Sequence, residues 1–128
     1  KIRTRHPWFL RENGFECLKI RHNPHSHCFP NFFMDLLYIA TPHSRGVLDH
    51  LARACARSGI QWACFLTNDG VKLLEVQSIQ QALSAADALI VCKHAWNLHL
   101  PGKECPAEFG SQSDNSHLMG RCRKVISL

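Results

Sequence analysis

Apolar and polar positions change rhythm at residue 35. From there the chain alternates short continuous apolar runs with segments of helical periodicity. "DLLYIA" (35–40) is an apolar run of strand length. "TPHSRG" follows, and its Pro42 and Gly46 are turn residues. "VLDHLARACARSG" sets Val47, Leu48, Leu51 and Cys55 on one helical face, with Ser44 as candidate N-cap and Gly59 as the stop. "IQWACFL" (60–66) is a second strand and "TNDG" (67–70) a turn. "VKLLEV" fits a short strand or a short helix equally well. Ser78 is placed to cap "SIQQALSAAD", where Ile79, Ala82, Leu83 and Ala86 share a face. "ALIVC" (88–92) is a third strand. A loop bearing Gly and Pro and a weak helix around 113–121 precede a closing strand, "KVISL" (124–128).

Strand and helix thus alternate through four strands, the pattern of a parallel sheet with helical crossovers. The strands are apolar throughout rather than in alternation, as expected when helices cover both faces. The fold class expected is α/β: a small, flavodoxin-like parallel sheet over residues 35–128. Residues 1–34 do not share the rhythm. They read as an N-terminal extension with aromatic anchors at Trp8, Phe9, Phe29, Phe32 and Phe33.

Charge separates the same two regions. The net charge of +5 is concentrated in residues 1–34, where six Lys and Arg face two acids. A basic arm attracts nucleic acid or an acidic partner protein. No RNA- or DNA-binding motif accompanies it, so nucleic acid is not the expected partner. No apolar run approaches the ~18 residues of a membrane-crossing helix, and residues 1–16 lack the uninterrupted apolar core of a signal peptide. The seven cysteines are odd in number, include no CxxC pair, and in several cases sit inside apolar runs, where they act as small hydrophobes. A reducing, cytoplasmic setting fits this usage better than a disulfide framework.

Two clusters carry candidate chemistry. The first is Cys92. Ligands of open parallel sheets bind beyond the carboxyl ends of the strands. "TPHS", "TNDG" and Cys92 all fall at such ends, with the potential cations Lys93 and either His94 or His43 from the first turn placed to favour a thiolate. Spacing leaves two readings open: a reactive thiol at the rim, or a strand-end cysteine packed under the loop that follows. The second cluster is "HNPHSHC" (22–28), where His22, His25, His27 and Cys28 suit zinc or copper by ligand type. Its spacing matches no standard zinc pattern, so a polar loop without stoichiometric metal is expected. "AEFGSQSDNSHL" (107–118) reads as a helix cap through Ser113, Asn115 or Ser116, and Asp69 as part of a turn.

"CFLTNDGVKLL", then a strand ending in Cys, then a terminal "CRKVISL" resembles the DsrE/TusD-like sulfur-transfer family over residues 35–128. "NLHLPG" stands where members of that family often carry an Arg-Gly pair. The resemblance implies a sulfurtransferase or sulfur carrier in which Cys92 accepts sulfane sulfur as a persulfide and passes it on, assisted by Lys93 and His94. It further implies sulfur-donor and sulfur-acceptor proteins as partners, no organic cofactor, and assembly into trimers or hexamers. Two readings of other classes stand beside it: a non-catalytic binding or scaffold subunit on the same fold, and a metal-binding protein using the N-terminal His/Cys cluster.

Overall fold

Each continuous apolar run becomes a parallel strand. The computed structural model describes residues 34–128. The expected extension therefore lies outside the described residues except for Met34, as do its aromatic anchors and the His22–Cys28 cluster. The strands are β1 (Met34–Ala40), β2 (Trp62–Leu66), β3 (Ala88–Cys92), β4 (Glu108–Gly110) and β5 (Cys122–Ser127). The α-helices are α1 (Arg45–Ser58), α2 (Gln77–Leu83), α3 (Lys93–His99) and α4 (Gln112–Gly120). Two 3-10 segments, Pro42–Ser44 and Asn68–Glu75, follow β1 and β2. All strand pairs are parallel, in the order β4-β3-β2-β1-β5. The layering is that of a flavodoxin-like α/β sheet, and the spatial order reverses at β1, whose neighbours are β2 and β5.

Strand parity assigns the two faces, because successive side chains point to opposite sides of a sheet. On one face Tyr38 of β1 stands edge-on to Trp62 of β2, with centroids 5.6 Å apart, and shares a hydrogen bond with Cys55 of α1. Phe109 of β4 lies on that face too and meets Trp96 of α3 edge-on at 6.2 Å. The opposite face carries Leu37, Phe65, Ile90 and Cys92, and the first turn of α4 reaches it. The central strand β2 is buried along its whole length, which explains why "WACFL" is apolar at every position. The outer strand β5 is exposed or half-buried throughout, with Arg123 and Lys124 exposed. Charges on an edge strand discourage pairing with another chain.

Several local expectations shift. The ambiguous "VKLLEV" lies within the 3-10 segment and the turn after it, burying Val71, Leu73 and Leu74. The buried stripe of α1 is Leu48, Ala52 and Cys55, while Val47 is exposed. Residues 48, 52 and 55 follow the four- and three-residue steps of a helix, and Val47 faces away. Ser44 occupies the N-cap of α1, but its hydroxyl donates back to the Thr41 carbonyl at 2.6 Å, and Gly59 ends the helix. Ser78 is inside α2, which begins at Gln77 after Val76. The fifth strand, β4, and helix α3 have no counterpart in the sequence reading. β4 is three residues at a sheet edge, too short for periodicity to mark. α3 begins directly on the end of β3, with no breaker between them.

Candidate functional site at the carboxyl edge of the sheet

Four strands end on a residue able to hydrogen-bond through its side chain, and each such residue starts the next helical element. Thr41 follows β1, Thr67 follows β2, Cys92 ends β3 and Ser111 follows β4. In strand order they form a row along one edge: Ser111, Cys92, Thr67, Thr41. The crevice usually expected where strand order reverses lies between β1 and β5. There the β1–β5 ladder runs on to the last residue: Thr41 N–H donates to the Leu128 carbonyl at 2.9 Å, and Leu128 N–H to the Ile39 carbonyl at 2.7 Å. The Cys92 thiol lies two strands from β1, at the end of β3.

Two glycines make that edge possible. Gly70 closes the turn after β2 against the end of β1. A Cβ there would stand 2.1 Å from the Ala40 carbonyl oxygen, so no larger residue fits without moving backbone. Gly110 is the register partner of Cys92. A Cβ on it would meet Ile90 Cγ2 at 2.5 Å and Asp114 Oδ2 at 3.3 Å. Its missing side chain lets the start of α4 settle onto β3, beside the thiol.

The start of α4 is held by a reciprocal cap. Ser111 N–H and Ser111 Oγ both donate to Asp114 Oδ2, at 2.6 and 2.7 Å, and Asp114 N–H donates to Ser111 Oγ at 3.4 Å. These bonds favour the charged carboxylate and hold the Asp114 carboxyl below its ordinary range. Glu108, on neighbouring β4, moves the other way, first because it is partly buried and then because Asp114 is near. The cap residue is thus Ser111, not Ser113, Asn115 or Ser116. The Ser-x-x-Asp signature of residues 111–114 was the available signal.

Fixing Ser111 fixes Gln112, the first residue of α4. The Gln112 side-chain amide donates to Thr67 Oγ1 at 3.0 Å and to Cys92 Sγ at 3.7 Å, the latter within the longer reach of a sulfur acceptor. Asn115 Nδ2 donates in turn to Gln112 Oε1 at 3.5 Å. Cys92 is at the rim, as its strand-end position predicts, yet only 5% of it is exposed. Lys93 and His94 occupy the first turn of α3 with exposed side chains. Among the described residues neither they nor His43 hydrogen-bonds the sulfur; that contact belongs to Gln112. Lys93 therefore supplies positive charge, and His94 a polar ring, to the surface beside the site rather than a bond within it. Gln112 and Thr67 were not singled out from sequence, because the contact joins residues 45 positions apart.

The other described thiols differ. Cys64 lies in the middle of β2, and burial pushes its thiol up to about 12. Cys55 faces Tyr38 Oη at 3.3 Å in the core. Burial also raises Cys105 and Cys122, in a loop and at the amino end of β5. Cys92 is the one described cysteine on the carboxyl edge. Among the described residues no group of three or more His, Cys, Asp or Glu is placed to hold a metal ion, and no helix is long and apolar enough to cross a membrane. Comparison of the chain with protein-family models, with curated proteins and with solved structures finds no match.

Proposed function

We propose that this protein is a sulfur carrier of the DsrE/TusD-like type, working in the cytoplasm between a donor and an acceptor protein, with Cys92 as the sulfur-bearing residue. One observation carries the reading. Of the described thiols, Cys92 alone combines the carboxyl edge of the parallel sheet with a neutral hydrogen-bond donor aimed at its sulfur. Such a donor favours an anionic sulfur without itself having a proton to lose.

The transfer conserves atoms and charge. The Cys92 thiol first releases its proton to water. The thiolate attacks the outer sulfur of a donor protein's cysteine hydropersulfide. The Sγ–S bond forms as the donor S–S bond breaks, and the donor leaves as a thiolate with that electron pair. Cys92 now carries the hydropersulfide. An acceptor thiolate repeats the step on its terminal sulfur and returns Cys92 to the thiolate. No net oxidation occurs and no organic cofactor is required. Exposed Lys93 and His94 sit on the first turn after the cysteine, where they serve to attract an acidic partner surface.

Incubation with a protein persulfide donor, followed by intact-mass measurement, tests this. Wild type is expected to gain the mass of one sulfur atom and Cys92→Ser none. Equal gain by both would move the sulfur to another cysteine and end this reading.

The burial of Cys92 favours a second reading: a binding or scaffold subunit on the same fold, with the thiol as packing. Under that reading wild type stays unloaded and Cys92→Ser retains partner binding in a pull-down with the same donor.

A further inference from the structure

The geometry points to Gln112 as a side-chain gate over Cys92, latched by Thr67, which holds the sulfur covered and opens to admit a partner's persulfide. The inference rests on Cys92 being the sulfur-bearing residue, and it adds how that residue is reached.

Three observations converge. First, Cys92 is at the rim of the fold and yet almost wholly covered. Second, the Gln112 side-chain amide lies against the sulfur while its own residue is exposed, so one polar side chain at the surface forms part of the cover. Rotation of that side chain needs no rearrangement of the core, and rotamer changes of exposed residues take picoseconds to nanoseconds. Third, the same amide nitrogen donates to Thr67 Oγ1 at 3.0 Å, which ties α4 across β3 to the turn after β2. The latch bond joins two side chains outside the core, and Asn115 Nδ2 adds a longer bond to Gln112 Oε1 at 3.5 Å. One such bond shifts an equilibrium only modestly, so the closed state dominates without locking the site.

The base of the gate is capped. Ser111 and Asp114 cap α4, and Gly110 lets that turn lie against Ile90. With the cap in place, opening needs only the Gln112 side chain and its latch to move. In the open state the thiol meets solvent at the edge where Lys93 and His94 are exposed. In the closed state one amide N–H faces the sulfur while the other holds Thr67, and the first stabilises the anion that remains after transfer. Gln112 is a positioning residue here and takes no part in bond making.

Alkylation of Cys92 in the full-length protein reads the gate directly. Rates are measured with a small reagent, iodoacetamide, and with a bulky maleimide, site by site by mass spectrometry. Thr67→Val, which removes the latch without touching Cys92, is expected to raise both rates about two- to tenfold, the effect of losing one ordinary hydrogen bond. Thr67→Ser keeps the acceptor hydroxyl and is expected to behave as wild type. Gln112→Ala is expected to raise the bulky-reagent rate more than the small-reagent rate, because a cover and not a chemical activator has been removed. The double variant is expected to match Gln112→Ala alone, since a latch has no effect once the gate is gone. Wild-type rates in Gln112→Ala, or additive effects in the double variant, overturn the gate. The relay reading fails separately. If the donor never loads Cys92 while Gln112→Ala still accelerates alkylation, the gate stands and sulfur transfer falls. If the donor loads Cys92 at one rate in wild type and Gln112→Ala, and alkylation is likewise unchanged, the relay stands and the gate falls.

Discussion

Gly70 is the residue on which the carboxyl edge turns. Replacing a glycine in a helical segment by alanine usually stabilises, because alanine loses less backbone freedom on folding. Here the sign reverses. The added Cβ would meet the Ala40 carbonyl oxygen at 2.1 Å, and that oxygen is backbone at the end of a central strand. Either the turn after β2 lifts or β1 shifts, and overpacking of this kind costs about 1–3 kcal/mol. Gly70→Ala is therefore expected to lower the melting temperature by several degrees. The measurement is thermal unfolding by circular dichroism, and a variant that melts with wild type would show that the turn yields freely. Thr67 belongs to the same turn, so the substitution is also expected to loosen the Gln112 latch.

At the scale of the element, α4 depends on its cap. It buries little, Leu118 being its one buried side chain, so packing alone holds it weakly. Loss of a Ser cap costs about 1 kcal/mol. Ser111→Ala is expected to fray the first turn of α4 and raise Cys92 alkylation, which the same labelling measurement would detect. The cap also sets a pH dependence. The Asp114 carboxyl is held below its unfolded value, first by the Ser111 backbone N–H and also by the Ser111 hydroxyl and nearby His117. The folded state therefore binds a proton less readily than the unfolded one. The contribution is present above the unfolded carboxylate range, about pH 4, and is lost as pH falls through the lower folded value. Glu108, raised by partial burial and by Asp114, acts in the opposite sense and at higher pH, above its own unfolded range. Asp114→Asn is expected to be less stable than wild type at pH 7 and to close the gap as pH falls below about 4. Urea unfolding at several pH values checks it; a constant gap from pH 7 to pH 3 would remove Asp114 as the source.

For the whole molecule, exposed apolar side chains remain on several elements: Val47 on α1, Leu98 on α3, Phe109 on β4, Met119 on α4 and Val125 on β5. Leu98 is 66% exposed and Phe109 41%. Single exposed apolar residues are ordinary, but association would cover some of them, and assembly belongs with the sulfur-carrier reading. Light scattering on the full chain is expected to give a multiple of the 14.5 kDa chain mass, with three or six copies. A monomeric mass across the working concentration range would remove assembly from the reading and leave the carrier chemistry to its own test.

Much of the fold follows from local sequence alone. The apolar runs at 35–40 and 88–92 are strands and the run at 60–66 holds one at 62–66, because an apolar run too short for a helix can bury itself only between covering layers. Gly59 ends α1, and Cys92 ends β3, as the residues themselves dictate. Tertiary structure decided the rest. The strand "EFG" exists because β3 offers it a partner through Ile90, Val91 and Cys92, not because three residues prefer to be extended. Helix α3 follows β3 without a break, so no punctuation announces it. The stretch "VKLLEV" curls into a 3-10 segment because Gly70 must lie against the end of β1. At the site, sequence supplied the thiol and its place at a strand end. Its polar contact came from the tertiary fold, since Thr67, Cys92 and Gln112 meet only when three elements end on one edge, and hydrogen bonds between residues so far apart in the chain leave no periodic trace in it.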